Sequence, residues 1–135
     1  MPLIYRSMTP EGDRPKVGPT ARTLGARVPA DIPVQHGHVL PETGGMSVAP
    51  SWRDLAPHRI PRRLVHLAPY AQGRNDDACW RMSEGPFVRS AVSEGLELRS
   101  DRPTHGSIEP SVMMTLENYQ AALAATRDQW RIDED

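Results

Sequence analysis

The sequence predicts an α+β fold in which short strands, joined by long Pro/Gly-rich loops, precede one C-terminal helix. The length of 135 residues suits a single domain over residues 1–135 and leaves no room for two independent cores. The 14 prolines and 10 glycines argue against a helical bundle, because proline interrupts helices and weakens strand ladders. The third observation is a spacing of three and four residues between apolar side chains after Thr115, which predicts the helix.

The strand predictions rest on short apolar or alternating runs bounded by turn residues. They cover Leu3–Met8, Met46–Val48, Cys79–Met82, Leu96–Arg99 and Thr104–Pro110. The segment Asp31–Leu40 predicts a hairpin with its turn near His36-Gly37. Residues 9–30 predict a loop with one helical turn around Thr20–Leu24, and this loop is long enough to close over a cleft as a lid.

The helix prediction begins at Thr115, a good N-cap, with Glu117 placed favourably in the first turn. The face expected to pack on the sheet consists of Leu116, Tyr119, Leu123, Thr126 and Trp130. The helix should therefore end near Trp130, and the acidic tail Asp133–Asp135 is expected to fray.

Charge and cysteine content exclude several classes of protein. The formal net charge of −1 gives no case for a nucleic-acid binder. The single cysteine, Cys79, excludes an internal disulfide and a site built from several thiolates, and beside Trp80 it is expected in the core. No run approaches the roughly 18 apolar residues of a membrane helix, and the N-terminus lacks a signal-peptide core. We expect a cytoplasmic protein without membrane contact, which would leave its cell only by a route without a cleaved signal.

Arg6 is the first candidate site residue. It lies between Ile4 and Met8 in the first predicted strand, and a guanidinium among apolar neighbours needs either a carboxylate or a bound phosphate as its partner. A second basic segment, Pro57–His66, is either a solvated loop or a site for phosphate or an acidic partner. The loop histidines match no metal-ligand spacing, so we predict no metal.

The segment Thr43–Val48 (TGGMSV) contains the second candidate. Its two glycines let the backbone approach a ligand closely. If Met46 and Val48 are core residues, Ser47 faces an open cleft on the other side of the strand. Taken alone, the segment also fits a plain turn before a strand with a surface serine.

The segment Thr104–Pro110 contains the third candidate. In an extended strand, His105, Ser107 and Glu109 share one face, so an imidazole, a hydroxyl and a carboxylate line the same side. This set suits chemistry on a ribose. The alternative is a polar edge strand.

Together these segments resemble the Tse-type effectors of bacterial type VI secretion, a family of ADP-ribosyltransferase-like toxins. In both, an early strand with Tyr5-Arg6 is followed by a Thr-Gly-Gly-x-Ser turn at Thr43–Ser47. Both also have an Asp-Ile pair, here Asp31-Ile32, just before that turn. A later Thr104-His105 segment leads through an isoleucine to Pro110, and a C-terminal helix follows. The resemblance spans about residues 4 to 130.

The resemblance implies a compact, ADP-ribosyltransferase-like split mixed β-sheet around a cleft that accepts NAD as substrate. The implied activity is a toxin that transfers ADP-ribose to an intracellular macromolecule or hydrolyses NAD. The implied partner is a cognate antitoxin or immunity protein that blocks the cleft. Delivery into the cytoplasm of another cell by a specialised secretion system is also implied.

The resemblance also assigns the site residues. Those implied for NAD binding are Tyr5, Arg6, Thr43, Gly44 and Gly45. Those implied for catalysis are Ser47, His105 and Glu109. His105 is the main candidate, since an imidazole can donate a hydrogen bond or move a proton near neutral pH. The carboxylate of Glu109 would help to stabilise an oxocarbenium-like cation.

Two departures from the family pattern keep other interpretations open. Met46 stands where the family has threonine beside the serine, and Glu109 stands where it has an apolar residue. A catalytically inactive module of the same fold, which binds a nucleotide or a protein, is therefore the alternative function. A further alternative is an interaction protein without a small-molecule site.

Overall fold

The computed structural model describes residues 1–135, with eleven short strands, one α-helix and four single 3₁₀ turns. The first five strands are β1 Ile4–Met8, β2 Pro10–Glu11, β3 Arg14–Pro15, β4 His38–Val39 and β5 Met46–Val48. They are followed by β6 Ala78–Met82, β7 Ser90–Ser93, β8 Leu96–Arg102, β9 His105–Pro110, β10 Met114–Thr115 and β11 Arg131–Ile132. The helix α1 is Leu116–Ala124, and the 3₁₀ turns are Trp52–Asp54, Pro57–Arg59, Arg62–Leu64 and Arg127–Gln129.

Two antiparallel sheets form the framework. One has the strand order β5-β9-β8-β7 and the other the order β1-β6-β11. They touch at a single bridge, where the N–H of Tyr5 donates to the Ala49 carbonyl at 2.7 Å and the N–H of Ala49 donates back at 3.0 Å. Parallel pairing occurs only as isolated bridges. Beyond the Tyr5–Ala49 bridge, β1 and β5 are not paired with each other, so the sheet framework is split at this point.

The larger core lies under the helix and contains the buried side chains of Trp80, Trp130 and Tyr119. The Tyr119 hydroxyl accepts from the Met46 N–H at 3.1 Å and donates to the Ile108 carbonyl at 2.6 Å, which ties α1 to β5 and β9. A smaller cluster on the other side of β1 contains Trp52, Ile60, Leu64 and Cys79. Burial raises the pKa of the Cys79 thiol to about 12.

The predicted α+β class with one C-terminal helix is confirmed. The N-cap is also confirmed, since the Thr115 hydroxyl accepts from the Asn118 N–H at 3.1 Å. The helix is shorter than predicted, however, and ends at Ala124. The Thr126 hydroxyl donates to the Leu123 carbonyl at 2.7 Å, and this local bond competes with helix continuation. Trp130 is still buried in the larger core, and its indole N–H donates to the Thr126 hydroxyl at 3.0 Å.

Several local predictions were wrong. Residues 9–30 contain the β2–β3 hairpin and a hydrogen-bonded turn from Thr20 to Thr23, and a second turn begins at Arg27, but the segment has no helix. The predicted hairpin at Asp31–Leu40 is confirmed at its turn, where Gln35 and His38 exchange two backbone hydrogen bonds of 2.9 and 3.0 Å around His36-Gly37. Beyond this pair the segment has only one short strand, β4, which pairs with the distant β10. The segment before Leu96 also contains an unpredicted strand, β7.

The acidic tail does not fray. Asp133 accepts from the Tyr5 hydroxyl at 2.9 Å and from Arg81 at 3.1 Å, and Glu134 forms a bidentate pair with Arg63, with both distances 2.7 Å. These partners lie far from the tail in sequence. None of the helices in the structure is both long enough and apolar enough to cross a membrane.

Candidate active site

A cavity of about 340 Å³ lies at the split between the two sheets. One side, the sheet wall, consists of residues from β1, β5 with the residue after it, and β9: Arg6, Ser7, Ser47, Val48, Ala49 and His105. The opposite side, the loop wall, consists of residues from the Pro/Gly-rich loop and the first two 3₁₀ turns: Ala21, Arg27, Asp31, Asp54, Leu55, Ala56, His58 and Arg59.

The edge of β1 that faces the split is open at Ser7. On this edge Tyr5 pairs with Ala49, while the Thr9 N–H donates to Arg22 at 2.7 Å and the Thr9 carbonyl accepts from Lys16 at 2.9 Å. Because the backbone groups of alternate residues point to the same side of a strand, those of Ser7 point into the split between these paired positions. The Ser7 hydroxyl is buried and has no hydrogen-bond partner. The cavity therefore contains polar groups that the protein itself leaves unpaired.

Ser47 faces the cavity as its strand position predicts. Met46 and Val48 are fully buried in the core on the opposite face of β5, whereas Ser47 is half-buried and its hydroxyl makes no hydrogen bond within the protein. Ser47 lies opposite Ser107 on β9, so His105 is its diagonal neighbour on the same face. Such diagonal pairs have side chains roughly 7–8 Å apart, which leaves room for a ligand between them.

His105 is oriented by Asp101, a residue that sequence analysis did not single out. The His105 Nδ1 lies 2.7 Å from Asp101 Oδ1, so the ring donates its Nδ1 proton to the carboxylate and keeps Nε2 for other partners. Burial alone would raise the pKa of Asp101, but the hydrogen bond from the His105 ring and the charge of that ring hold the pKa of Asp101 below its usual value. A β-bulge between Ser100 and Arg102 places Asp101 for this contact.

Arg6 is buried and its guanidinium is held by the backbone. Its Nε donates to the Thr23 carbonyl at 3.1 Å and its Nη1 to the Ser47 carbonyl at 2.9 Å. Its Nη2 lies within hydrogen-bond distance of the Thr23, Thr20 and Gly25 carbonyls. Burial lowers the pKa of Arg6 to about 10. Arg6 thus fastens the loop at residues 20–25 to β5 across the split.

Two other arginines lie in the loop wall with different partners. Arg27 pairs with Asp31 at 2.9 Å, and the Asp31 carboxylate also accepts the Arg27 backbone N–H. Arg59 makes no side-chain hydrogen bond and no salt bridge, although it is half-buried in the cavity. Burial lowers the pKa of Arg59, and the nearby charge of Arg27 lowers it further. Because no group of the protein binds its guanidinium, Arg59 remains available to an anion.

The family model for the Tse2 ADP-ribosyltransferase toxin matches residues 4–130, which is all but the first three and last five residues. The chain belongs to this family. No curated protein and no solved structure matches it. The match confirms the resemblance deduced from the three segments, and it supports an ADP-ribosylating toxin as the general class.

Within this Tse2-family chain, three of the predicted site residues meet at the cavity: Arg6, Ser47 and His105. Tyr5 does not line the cavity, and its hydroxyl donates to Asp133 at 2.9 Å. The Glu109 carboxylate accepts from the Glu42 N–H at 2.9 Å, lies 3.8 Å from Arg99 and does not line the cavity. It follows His105 by four residues along an extended strand, which is ~13 Å.

The predicted Thr-Gly-Gly turn lies beside the cavity rather than in its lining. A Cβ on Gly44 would lie 2.2 Å from the Asp31 carbonyl oxygen, and one on Gly45 would lie 2.2 Å from that of Ile108. Gly44 also has a φ of +129°, which favours glycine. The Thr43 hydroxyl donates to the Leu40 carbonyl. The glycines therefore allow close backbone packing, which fixes the start of β5 and with it the position of Ser47, two residues after Gly45.

Proposed function

We propose that this Tse2-family protein consumes NAD, and that the nicotinamide end of NAD binds in the cavity between the two sheets. The observation that carries the proposal is that Ser47 and His105 lie on neighbouring strands and line one cavity together with three arginines. The cavity combines the imidazole of His105, which can transfer a proton, with cationic guanidinium groups that suit the anionic diphosphate of NAD.

The cavity fits such a substrate in size and in polar groups. Its volume of about 340 Å³ lies within the range of small-molecule sites. The open strand edge at Ser7 provides a donor and an acceptor, which is the pattern that a carboxamide requires. The buried Ser7 hydroxyl lacks a partner, and Arg59 is a cation without one.

In the proposed reaction the bond between the ribose C1′ and the nicotinamide nitrogen breaks, and its electron pair leaves with neutral nicotinamide. Water or a nucleophile of the acceptor forms the new bond to C1′ and loses a proton. His105 Nε2 is the proton acceptor, because Asp101 binds the other ring nitrogen. The Ser47 hydroxyl is placed to bind a ribose hydroxyl. The role predicted for Glu109 is not part of this proposal, because its carboxylate lies outside the cavity lining.

The alternative is a module of the same family that binds a nucleotide without turning it over. One observation favours it: of the two carboxylates in the cavity lining, Asp31 is paired with Arg27, and Asp54 is exposed on a 3₁₀ turn. The oxocarbenium-like cation would then lack a carboxylate close to it. The same assay distinguishes the two functions, because this module would bind NAD and release no nicotinamide.

A protein partner that covers the cavity is also part of the proposal, since a cell that makes an NAD-consuming toxin must protect itself. Such an antitoxin or immunity protein would have to block the approach between Ser47 and Arg59. Its effect is measurable as retained cellular NAD when both proteins are expressed together.

The test is nicotinamide release from NAD by the purified protein, alone and with a bacterial lysate that supplies acceptors. Ser47→Ala and His105→Ala should each lower the rate by about 100-fold or more while leaving thermal unfolding unchanged. Ser107→Ala is the matched control, because Ser107 lies opposite Ser47 but does not line the cavity. Transfer of label from NAD to lysate components identifies a transferase, and release of free ADP-ribose identifies a hydrolase. A wild-type protein that consumes no NAD under either condition contradicts the proposal.

A further inference from the structure

A second, more open depression of about 700 Å³ adjoins the cavity, and the two share only Ala21 and Arg59 as lining residues. The rest of its lining comes mainly from the turn at residues 16–23, together with Thr9 and Asp76. Arg59 therefore lies on the boundary between two concave surfaces. A dinucleotide has the same arrangement, with two nucleoside halves joined by a central diphosphate.

We infer that Arg59, and not Arg6, binds the diphosphate, with the nicotinamide half of NAD in the cavity and the adenosine half in the adjoining depression. This inference rests on the proposed function and adds to it the residue that recognises the middle of the substrate.

The hydrogen bonds of Arg6 leave it little capacity for a phosphate. Its Nε and Nη2 hydrogens point to the carbonyls of Thr20, Thr23 and Gly25, and one Nη1 hydrogen is donated to Ser47. Of the five N–H groups of a guanidinium, one remains. To bind a phosphate by a bidentate contact, Arg6 would have to give up a carbonyl in a buried position, and that carbonyl would lose its partner.

Arg59 has the opposite properties. No carboxylate and no carbonyl accepts a hydrogen bond from its side chain, so all five N–H groups are available for the planar, two-point contact that suits phosphate oxygens. Arg59 is the last residue of the 3₁₀ turn Pro57–Arg59. Its own N–H donates to the Ala56 carbonyl at 2.8 Å, and the next N–H, of Ile60, donates to the Pro57 carbonyl at 3.2 Å, so the backbone at Arg59 is held in place. A second, independent observation is the buried Ser7 hydroxyl in the same cavity, whose missing partner a ligand oxygen would supply.

The experiment measures the affinity of the purified protein for NAD, ADP-ribose and nicotinamide by titration calorimetry. Arg59→Ala should weaken the binding of NAD and ADP-ribose by about 10- to 100-fold, the range for loss of hydrogen bonds to a charged group. Nicotinamide lacks phosphate, so its affinity should stay unchanged. Arg59→Lys should restore part of the lost affinity, because it keeps the charge but not the two-point geometry.

Arg62→Ala is the matched control, since Arg62 is an exposed arginine of the next 3₁₀ turn that lines neither concave surface. Because Arg59 has no polar partner in the protein, Arg59→Ala should unfold at the wild-type temperature. In the kinetic assay the KM for NAD should rise while kcat stays within about threefold, as expected when binding is lost equally from substrate and transition state. Unchanged affinity for ADP-ribose in Arg59→Ala overturns the inference and leaves the proposed function intact. A wild-type protein that binds neither NAD nor ADP-ribose overturns the proposed function itself.

Discussion

The two walls of the cavity are built in different ways. In the sheet wall, Ser47 and His105 are positioned by the ladder between β5 and β9 and by the buried residues on the opposite face. In the loop wall, Arg27 and Arg59 lie on segments without regular strands, and the loop at residues 20–25 is fastened by the side chain of Arg6. The comparison shows that the proposed catalytic groups, Ser47 and His105, lie on paired strands, which place them accurately. The positive charges of Arg27 and Arg59 lie on loops and turns. Arg6 connects the walls, because its guanidinium donates to the Ser47 carbonyl on β5 and to the carbonyls of Thr20, Thr23 and Gly25 in the loop.

Removing the Arg6 guanidinium, which connects the two walls, should have the largest effect on stability. Arg6→Met leaves the carbonyls of Thr20, Thr23, Gly25 and Ser47 without this donor inside the protein, so we expect the free energy of unfolding to fall by about 3–5 kcal/mol. Urea unfolding measures the change, and Arg62→Met, at an exposed position, is the control. A loss below about 1 kcal/mol would mean that the loop wall is held by other contacts.

The sheet wall should be disturbed next most by Gly45→Ala. The new methyl group would lie 2.2 Å from the Ile108 carbonyl oxygen and 3.0 Å from the Tyr119 hydroxyl, which forces β5 away from β9. Overpacking of this kind costs about 1–3 kcal/mol. Thermal or urea unfolding is the measurement, and Thr43→Ala, which removes one exposed hydroxyl and its hydrogen bond to the Leu40 carbonyl, should lower the unfolding free energy by less than about 1 kcal/mol. Equal effects of the two substitutions would contradict the close packing of the glycine.

A smaller and purely kinetic effect is expected for Asp101→Asn. The substitution removes the negative charge that binds His105 Nδ1 while keeping the shape of the side chain. The kcat for nicotinamide release should fall by about 10-fold with the KM for NAD unchanged, because only proton transfer is affected. Asp101 is exposed, so unfolding should be unaffected. If kcat is unchanged, His105 does not need the carboxylate for its function.

The smallest effect is expected at the far end of β9. Burial raises the pKa of Glu109, so the folded state favours the protonated side chain over the carboxylate. The protonated side chain contributes to the free energy of unfolding below the unfolded pKa of about 4.3, and this contribution is lost as the pH rises through the folded pKa. Glu109→Gln should therefore be at least as stable as the wild type at pH 7 and should lose that advantage below about pH 4. The rate of NAD consumption should stay within about threefold. A complete loss of activity would instead establish the catalytic role that the resemblance implied.

The sheet wall could be predicted from sequence because its rules are local. Alternation along three residues was enough to place Met46 and Val48 in the core and Ser47 in the cleft. The same rule puts His105 and Glu109 on one face, but they lie on opposite sides of Ser107, and only His105 lines the cavity. Alternation therefore predicts the side of a strand and not membership in a site.

The loop wall could not be predicted, because long-range contacts determine it. Nothing in the residues near Thr23 indicates that their carbonyls bind a guanidinium from β1. The tail was expected to fray for a related reason, since its partners Arg63 and Arg81 are more than 50 residues away in the chain. For Arg59 a signal did exist, the basic segment after Pro57, but only the structure separates it from its exposed neighbour Arg62.

The buried thiol of Cys79 provides a built-in reporter of how the smaller cluster opens. Because thiolate is the species that alkylating reagents attack, a pKa near 12 and full burial make labelling of the folded protein very slow at neutral pH. The chain has one cysteine, so each molecule that opens gains one adduct and no more. Labelling followed by mass spectrometry would thus count opening events at β6 directly, and the rate in the presence of NAD would show how far occupancy of the cavity slows movements of the neighbouring sheet.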